Sequence, residues 1–319
     1  MARRNKLMPL SEAIGHYVQD GQTIYFGGFL QQEPFAAAHE IIRQRKKDLT
    51  ISKCAGMLLA DQLIGAGAVK KLITAFCWNP LPAPTHCFVR ALTKEARPGL
   101  ELEEYSILGL NLAYLAGAMD LPYVATKTML GTSFDEKNRP PGLTNRLRFE
   151  KSPFSGERVC LIPPIKHDLG ILQVQRSDSF GNTQAWGMLG DTLYGIQSCE
   201  KIIVCAEKVV ATELIQRDPN RTLIPGFRVA AVVEEPWGSH PASMAGCYDM
   251  DWPFFAAYER QTRTEELFEA FLEKWVFGVD NRRSYLKLLG TERLQGLRPQ
   301  EYRSDPVSYG KFNTYFELR

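Results

Sequence analysis

The chain has 319 residues, 45% of them hydrophobic and 23% charged, and a formal net charge of +2. That length carries one large α/β domain or two modest ones, and the even charge balance excludes an acidic tail and gives no basis for a nucleic-acid partner. Seven cysteines are scattered, with no CxxC pair and no His/Cys cluster at metal-ligand spacing. Neither a disulfide framework nor a metal site is expected, and a reducing, cytoplasmic location is. The N-terminal "MARRNKLMPLSEAIGHYV" holds no apolar stretch of signal-peptide length. No segment reaches about 18 uninterrupted apolar residues, so no membrane span is expected.

In chain order, Ser11 predicts the N-cap of a first helix, Glu12 to Val18, closed by Asp20-Gly21. Thr23-Ile24-Tyr25-Phe26 reads as a short buried strand that ends on the pair Gly27-Gly28. Pro34 then precedes a helix over 35–45, whose basic end "RQRKK" suits the exposed carbonyls of a helix terminus. Strand 49–53, helix 58–67 and strand 70–76 follow, and the bend "NPLPAPTH" leads to a helix over 85–94. The small-residue helix "ILGLNLAYLAGAMDLP" ends at Pro122, and "YVATKT" (123–128) reads as a fourth strand of the same sheet.

Residues 132–157 form a polar excursion without a period. "RVCLIPP" and "LGILQVQRS" read as two strands in close succession, then come the loop "DSFGNTQAWG", a helix over 189–199 and the buried strand "KIIVCAE" (201–207). "FRVAAVVEEPWGSHP" gives another strand running into a loop. From about 250 onward the chain turns helical. Thr262 and Glu265 have capping-box spacing, and Leu267, Phe268, Phe271, Leu272, Trp275 and Val276 form one apolar stripe. The alternation of strands and helices predicts an α/β fold, an open and mostly parallel sheet flanked by helices. No composition shift divides the chain, so residues 1–319 are expected to form one domain with a C-terminal helical extension.

An activated nucleophile beside a base is not legible. His16 and His39 lie on helices, where a surface position is expected, and His86 after the proline bend is open between structure and function. "GAGAVK" (65–70) lacks a third glycine and ends a helix, which suits a C-cap better than a dinucleotide site. What recurs is loops at the carboxyl ends of strands: Gly27-Gly28, "LGTS" (130–133), "SDSFGN" (177–182), Glu207 and "PWGSHP" (236–241). Ligands of open parallel sheets bind outside those strand ends. Singly each is a turn; together they suit a site of backbone amides and small side chains, such as an oxyanion hole.

"FGGF" (26–29), "PFAAAHEIIRQ", "LEEYS", "LPYV", "SDSFGNTQAWG", "PGFRVAAVVEEPWGSHP" and "EKWVFGVDNRRSYLKLLG" occur in that order. This pattern resembles the alpha (A) subunits of class I coenzyme A-transferases, most closely those of the glutaconate type. The resemblance implies a NagB/RpiA-like sheet fold and CoA transfer from an acyl-CoA to a carboxylic acid. It implies a beta subunit whose glutamate, in an (S)ENG motif, passes through an acyl anhydride and a glutamyl-CoA thioester. It also implies an α2β2 or larger assembly, with coenzyme A as substrate and no other cofactor. No Glu-Asn-Gly occurs in this chain, so no catalytic residue is expected on it. The implied oxyanion and acyl-binding residues are Gly27, Gly28, Phe29, Gln31, Gln32 and Gly131.

Tyr25-Phe26 replaces the leading glycine of the family's GxGGF signature. Gln31-Gln32-Glu33 stands where glutaconate-type chains carry a basic residue, which favours a less acidic or bulkier acyl group. Relatives on this scaffold include a ring-opening hydrolase and a decarboxylase, so a CoA-thioester hydrolase or C–C lyase is the alternative. An ungapped reading puts Ile107 close to the hydrolase's acidic position, with Glu103 and Glu104 just before it, and a one-turn shift restores a carboxylate there. A non-catalytic ligand sensor is a third reading, disfavoured by the absence of a helix-turn-helix or basic segment.

Overall fold

The computed structural model describes residues 4–81, 83–93, 99–139 and 144–299. Expectations for Pro82, for residue 94, for 140–143 of the excursion and for 300–319 lie outside these. The first helix, α1 (Leu10–Tyr17), begins one residue after Pro9, and Ser11 sits inside its first turn without capping it. Burial of Leu10, Ala13 and Ile14 sets that start. Strand β1 (Thr23–Phe26) has both faces covered, the mark of a central parallel strand. In α2 (Phe35–Arg43), three consecutive alanines favour the helix and every residue but Arg43 is buried. Next come β2 (Leu49–Ser52), α3 (Met57–Gly65), β3 (Val69–Thr74) and α4 (His86–Leu92).

Strand β4 (Glu101–Glu104) was not expected, because "ELEE" carries three carboxylates in four residues. It pairs only with β3 among the strands, and an edge position tolerates charge. Helix α5 (Ile107–Ala118) is capped by Ser106, whose hydroxyl accepts from the Gly109 N–H at 3.0 Å. Its small residues permit close approach: a Cβ on Gly117 would lie 2.0 Å from the Ile165 carbonyl oxygen.

The expected fourth strand is displaced. Strand β5 (Val124–Thr126) leaves the main sheet and joins β6 (Arg148–Lys151) and β7 (Arg158–Ile162) in a separate antiparallel sheet, ordered β5-β7-β6. The polar excursion therefore supplies a strand, and "RVCLIPP" belongs to the small sheet. Next are β8 (His167–Ser177), β9 (Thr183–Gln184), α6 (Thr192–Gly195), β10 (Cys199–Val209), α7 (Thr212–Gln216), β11 (Thr222–Ile224) and β12 (Ala231–Glu234). The helix expected over 189–199 shrinks to α6, because Gly190 has φ +53° and β10 already starts at Cys199.

Seven strands run parallel in the order β12-β10-β8-β1-β2-β3-β4, while β9 and β11 continue antiparallel from the far end of β8. Residues alternate between two cores, as the two-residue strand period requires. Ile24, Phe26, Leu169 and Ile171 face α1 to α4, whereas Tyr25, Leu172 and Val174 face α5 and the small sheet.

The C-terminal helices, α8 (Trp252–Gln261), α9 (Glu265–Leu272), α10 (Arg282–Leu289) and α11 (Thr291–Gly296), extend the first core with Phe254, Phe271, Trp275 and Tyr285. Tyr258 ties them to the sheet domain, donating to buried Asp61 at 2.7 Å. The α9 cap is Thr264, accepting from the Leu267 N–H at 3.3 Å, whereas Thr262 closes α8. Of the expected stripe, Leu267 alone faces solvent. No helix among the described residues is long and apolar enough to cross a membrane.

His39 is buried, against expectation, because α2 is covered by α10; its Nε2 lies 2.9 Å from Gln62 Oε1. His167, 2.9 Å from Ser198 Oγ, and His240, 2.8 Å from Tyr285 and Asp251, are buried too. Burial holds His39 well below the ordinary imidazole range and lowers His167 to about 3. Burial also lowers His240 to about 4, against the hydrogen bond to Asp251. The unfolded rings bind protons below about pH 6.5 while the folded ones stay neutral, so each ring's contribution to stability is lost as pH drops from there toward about 4, while carboxyls raised by burial, Glu235 among them, act in the opposite sense. Each ring contributes up to about 1.4 kcal/mol per pH unit in that window. Urea unfolding of the wild type and of His167→Gln between neutral and acid pH tests this: the wild type loses more stability over that range than the variant, and equal losses would contradict it.

Candidate active site

After β1 the chain adds β2, β3 and β4 on one side, then returns to add β8, β10 and β12 on the other. The order reverses between β1 and β8, and that switch point is where open α/β sheets bind ligands. Phe26, the last residue of β1, pairs with Ile171. Gly27-Gly28 leave the sheet there.

The two glycines answer different constraints. A Cβ on Gly27 would lie 2.0 Å from Leu172 Cδ2, the tip of a side chain. Gly28 has φ +91°, and a Cβ there would lie 2.5–2.7 Å from the backbone of Gln31 and Gln32, because the chain doubles back on itself. Leu30 and Gln32 are also left-handed, at φ 59° and 60°.

The doubling back commits most of the turn's amides. Gly27 N–H donates to Ile171 O at 3.1 Å, Gly28 N–H to Thr192 Oγ1 at 3.1 Å and Phe29 N–H to Gln31 O at 3.1 Å. Leu30 N–H donates to Glu33 Oε1 at 3.1 Å and Gln32 N–H to Ser243 O at 2.9 Å. The expected free amides of Gly27, Gly28 and Phe29 thus have internal acceptors. Between 27 and 32, the Gln31 N–H alone donates to nothing among the described residues.

Beneath the turn lies a cluster the sequence reading missed. Lys53, fully buried just past β2, donates from Nζ to Gly28 O at 2.5 Å and lies 3.4 Å from Glu33 Oε1. Across the sheet, Tyr25 OH donates to Asp191 Oδ2 at 2.9 Å. Burial pushes the Glu33 and Asp191 carboxyls up, while the Lys53 charge pulls both down. A lysine closing an apolar strand at its carboxyl end was the available signal. Asp191 carried none, since it fell inside an expected helix.

Three of the five expected loops meet. Gln31 pairs with Ser243, and Ala36 N–H donates to Gly238 O at 2.9 Å, so the 236–248 segment lies along the turn. Glu207 anchors that segment, accepting from Gln173 at 2.8 Å, Tyr248 OH at 2.7 Å and Trp237 N–H at 2.7 Å. Burial raises Glu207 against these bonds and pushes nearby Glu235 up to about 7. Gln31 is part-exposed, with Oε1 3.4 Å from the Met188 amide. Gln32 is buried, its amide donating to the Trp186 carbonyl and, at 3.5 Å, to Gln175.

The other two loops serve local structure. Gly131 N–H donates to Asp135 Oδ2 at 3.0 Å, and a two-pronged ion pair from Arg158 fixes that turn to β7. The 177–182 turn stands beyond the crevice, because β8 runs on from Ile171 to Ser177, about 20 Å farther. There Asp178 accepts from the Phe180 and Asn182 amides, an Asx turn. Among the described residues, His86 reaches only Glu259, at 3.2 Å.

A family model described as Coenzyme A transferase matches residues 7–235. The chain belongs to the coenzyme A transferase family. It is 32% identical over 274 residues to the A subunit of the 3-oxoadipate CoA-transferase of Pseudomonas knackmussii, covering 86% of this chain and 94% of that one. It is equally 32% identical to the A subunit of the glutaconate CoA-transferase of Acidaminococcus fermentans, over 92% and 95% of the two chains. The crystal structure of that glutaconate coenzyme A-transferase matches with TM-score 0.84 at 31% identity, covering 93% of this chain and 96% of that one. The cholesterol ring-cleaving hydrolase IpdA subunit of Mycobacterium tuberculosis is 26% identical, over 86% and 94%.

In this coenzyme A transferase chain, the carboxylate sought near the start of α5 is held elsewhere. Glu103 contacts Lys71 at 2.6 Å, Arg146 at 2.9 Å and Tyr105 OH at 2.5 Å. Burial would raise its carboxyl, yet those donors together hold it below the usual range. Ile107 itself is half exposed.

The glycines are separable by mutation. Gly27→Ala meets only the Leu172 tip, so a double-mutant cycle with Leu172→Ala shows a favourable coupling. Gly28→Ala costs at least about 1–2 kcal/mol and is additive with Leu172→Ala, because its clash is with main chain at positive φ. Urea unfolding of the four variants measures both; coupling at Gly28 and none at Gly27 would contradict the assignment.

Proposed function

We propose that this chain is the alpha subunit of a hetero-oligomeric CoA-transferase, α2β2 or larger, which moves CoA from an acyl-CoA to a carboxylic acid. The observation that carries this reading is the near full-length match to the A subunits of two CoA-transferases. The absence of Glu-Asn-Gly from the chain supports a partner as the source of the attacking carboxylate. That glutamate attacks the thioester carbonyl and releases CoA thiolate, leaving an acyl-glutamyl anhydride. CoA thiolate attacks the glutamyl carbonyl to give glutamyl-CoA and the free acid; the acceptor acid then takes over the same sequence in reverse.

This chain's part is to wall the crevice between β1 and β8. The turn 27–33 and the 236–248 segment stand where the acyl thioester would lie, and backbone donors there stabilise negative charge on its oxygen. Gln31 offers the acyl tail a hydrogen bond and no charge, which suits an acyl group less acidic than glutaconate. We place the protein in the cytoplasm, a reading that the lack of a disulfide among the described cysteines supports.

The chain purified alone is expected to show no transfer. With its partner, it exchanges CoA only when an acceptor acid is supplied, followed by chromatographic separation of the two CoA esters. Acceptor-independent loss of thioester would replace this reading with a hydrolase, and full turnover by the isolated chain would end it.

A further inference from the structure

We propose that Lys53 is a positioning residue of the transfer site, fixing the turn 28–33 so that the Gln31 backbone N–H is presented to the reacting carbonyl oxygen. This rests on the transferase reading above and adds to it which amide acts and what aims it.

Lys53 is wholly inaccessible. A buried ammonium is costly unless paired, and an apolar side chain of similar length would serve packing as well or better. Packing alone therefore gives no reason for a lysine. Its two contacts are at the two ends of one turn, Gly28 O at 2.5 Å and Glu33 Oε1 at 3.4 Å. Glu33 in turn accepts from the Leu30 N–H, so the ammonium, the Glu33 carboxylate, Gly28 and Leu30 form one closed unit. The opposite side is fastened by Thr192, which accepts from the Gly28 N–H.

That unit leaves one donor over. Gln31 pairs with Ser243 as in a parallel ladder, so the flanking Leu30 carbonyl and Gln32 N–H point at the 243 segment. The Gln31 N–H then points to the opposite side, the one on which Gln31 O meets the Phe29 amide. Donors fixed before reaction stabilise an oxyanion without reorganising, whereas a loose turn forfeits the effect. Lys53 touches no substrate; it acts through the turn.

The test uses the complex with the beta partner. Lys53→Met leaves Glu33 uncompensated, so the decisive variant is the neutral pair Lys53→Met/Glu33→Gln. It is expected to assemble normally by size-exclusion chromatography, with kcat lowered about a hundredfold and KM for acyl-CoA changed by less than about threefold. Turnover within threefold of wild type, or a loss confined to KM, would overturn the proposal. In parallel, hydrogen exchange resolved to single amides follows residue 31 in the wild-type complex. The Gln31 amide is expected to exchange rapidly in the free complex and to be protected at least about tenfold when acyl-CoA is bound. Unchanged exchange at 31 would overturn the proposal even if the variant failed to assemble. If the wild-type complex moves no CoA, the transferase reading fails instead, and the two failures are distinct.

Discussion

The ammonium of Lys53, with no access to water, lies where the chain leaves β1, and the head of the sheet is arranged around it. Two buried carboxyls, Glu33 and Asp191, feel its charge, and in both burial works against that attraction. Removing Lys53 leaves both carboxyls without a counter-charge in a low dielectric, which costs more than the pair contributes when intact. Segments far apart in sequence are thereby locked together: the end of β2, the turn 28–33 and the residues opening α6. Coupling of this kind specifies one backbone path where glycine alone would allow many.

The centre of the parallel core was legible because its strands are too apolar to be anything else. Thr23–Phe26 and the apolar stretch inside β10 are covered on both faces, and their composition says so without reference to partners. Pairing partners are not a local property. "YVATKT" has strand composition, yet nothing within it distinguishes a fourth parallel strand from the edge of a small antiparallel sheet. Strand β4 shows the converse: three glutamates in four residues argue against a strand until an edge position makes them tolerable. His39 was misread for the same reason, since a helix covered on two sides looks amphipathic until its second cover, the C-terminal extension, is in place.

At the site, the loops were legible and their convergence was not. Gly27-Gly28, Glu207 and 236–241 meet because the segment after β12 folds back along the turn that leaves β1 and is anchored there by Glu207, which lies within β10. The 177–182 turn has the same composition but rides on a strand that overshoots the crevice. Turn residues announce a turn, and strand length decides where it stands. Lys53 and Asp191 were hidden more deeply. A charged residue at a strand end reads as exposed unless its neutralising partner, here Glu33 from the turn after β1, is known.

A glycine pair at a strand end invites a choice between a tight turn and a bare active-site wall, and here the choice is a false one. The same reversal that requires φ +91° at Gly28 brings the carbonyls of Gln31 and Gln32 against it and uses up the neighbouring amides. An unstructured loop would expose every N–H to water and orient none of them. By satisfying the others internally, the fold leaves the amide of Gln31 as the one in the turn without an acceptor among the described residues, and fixes its direction. Tight packing is how such a turn becomes selective, so under the proposed role structural and functional constraints fall on the same two residues.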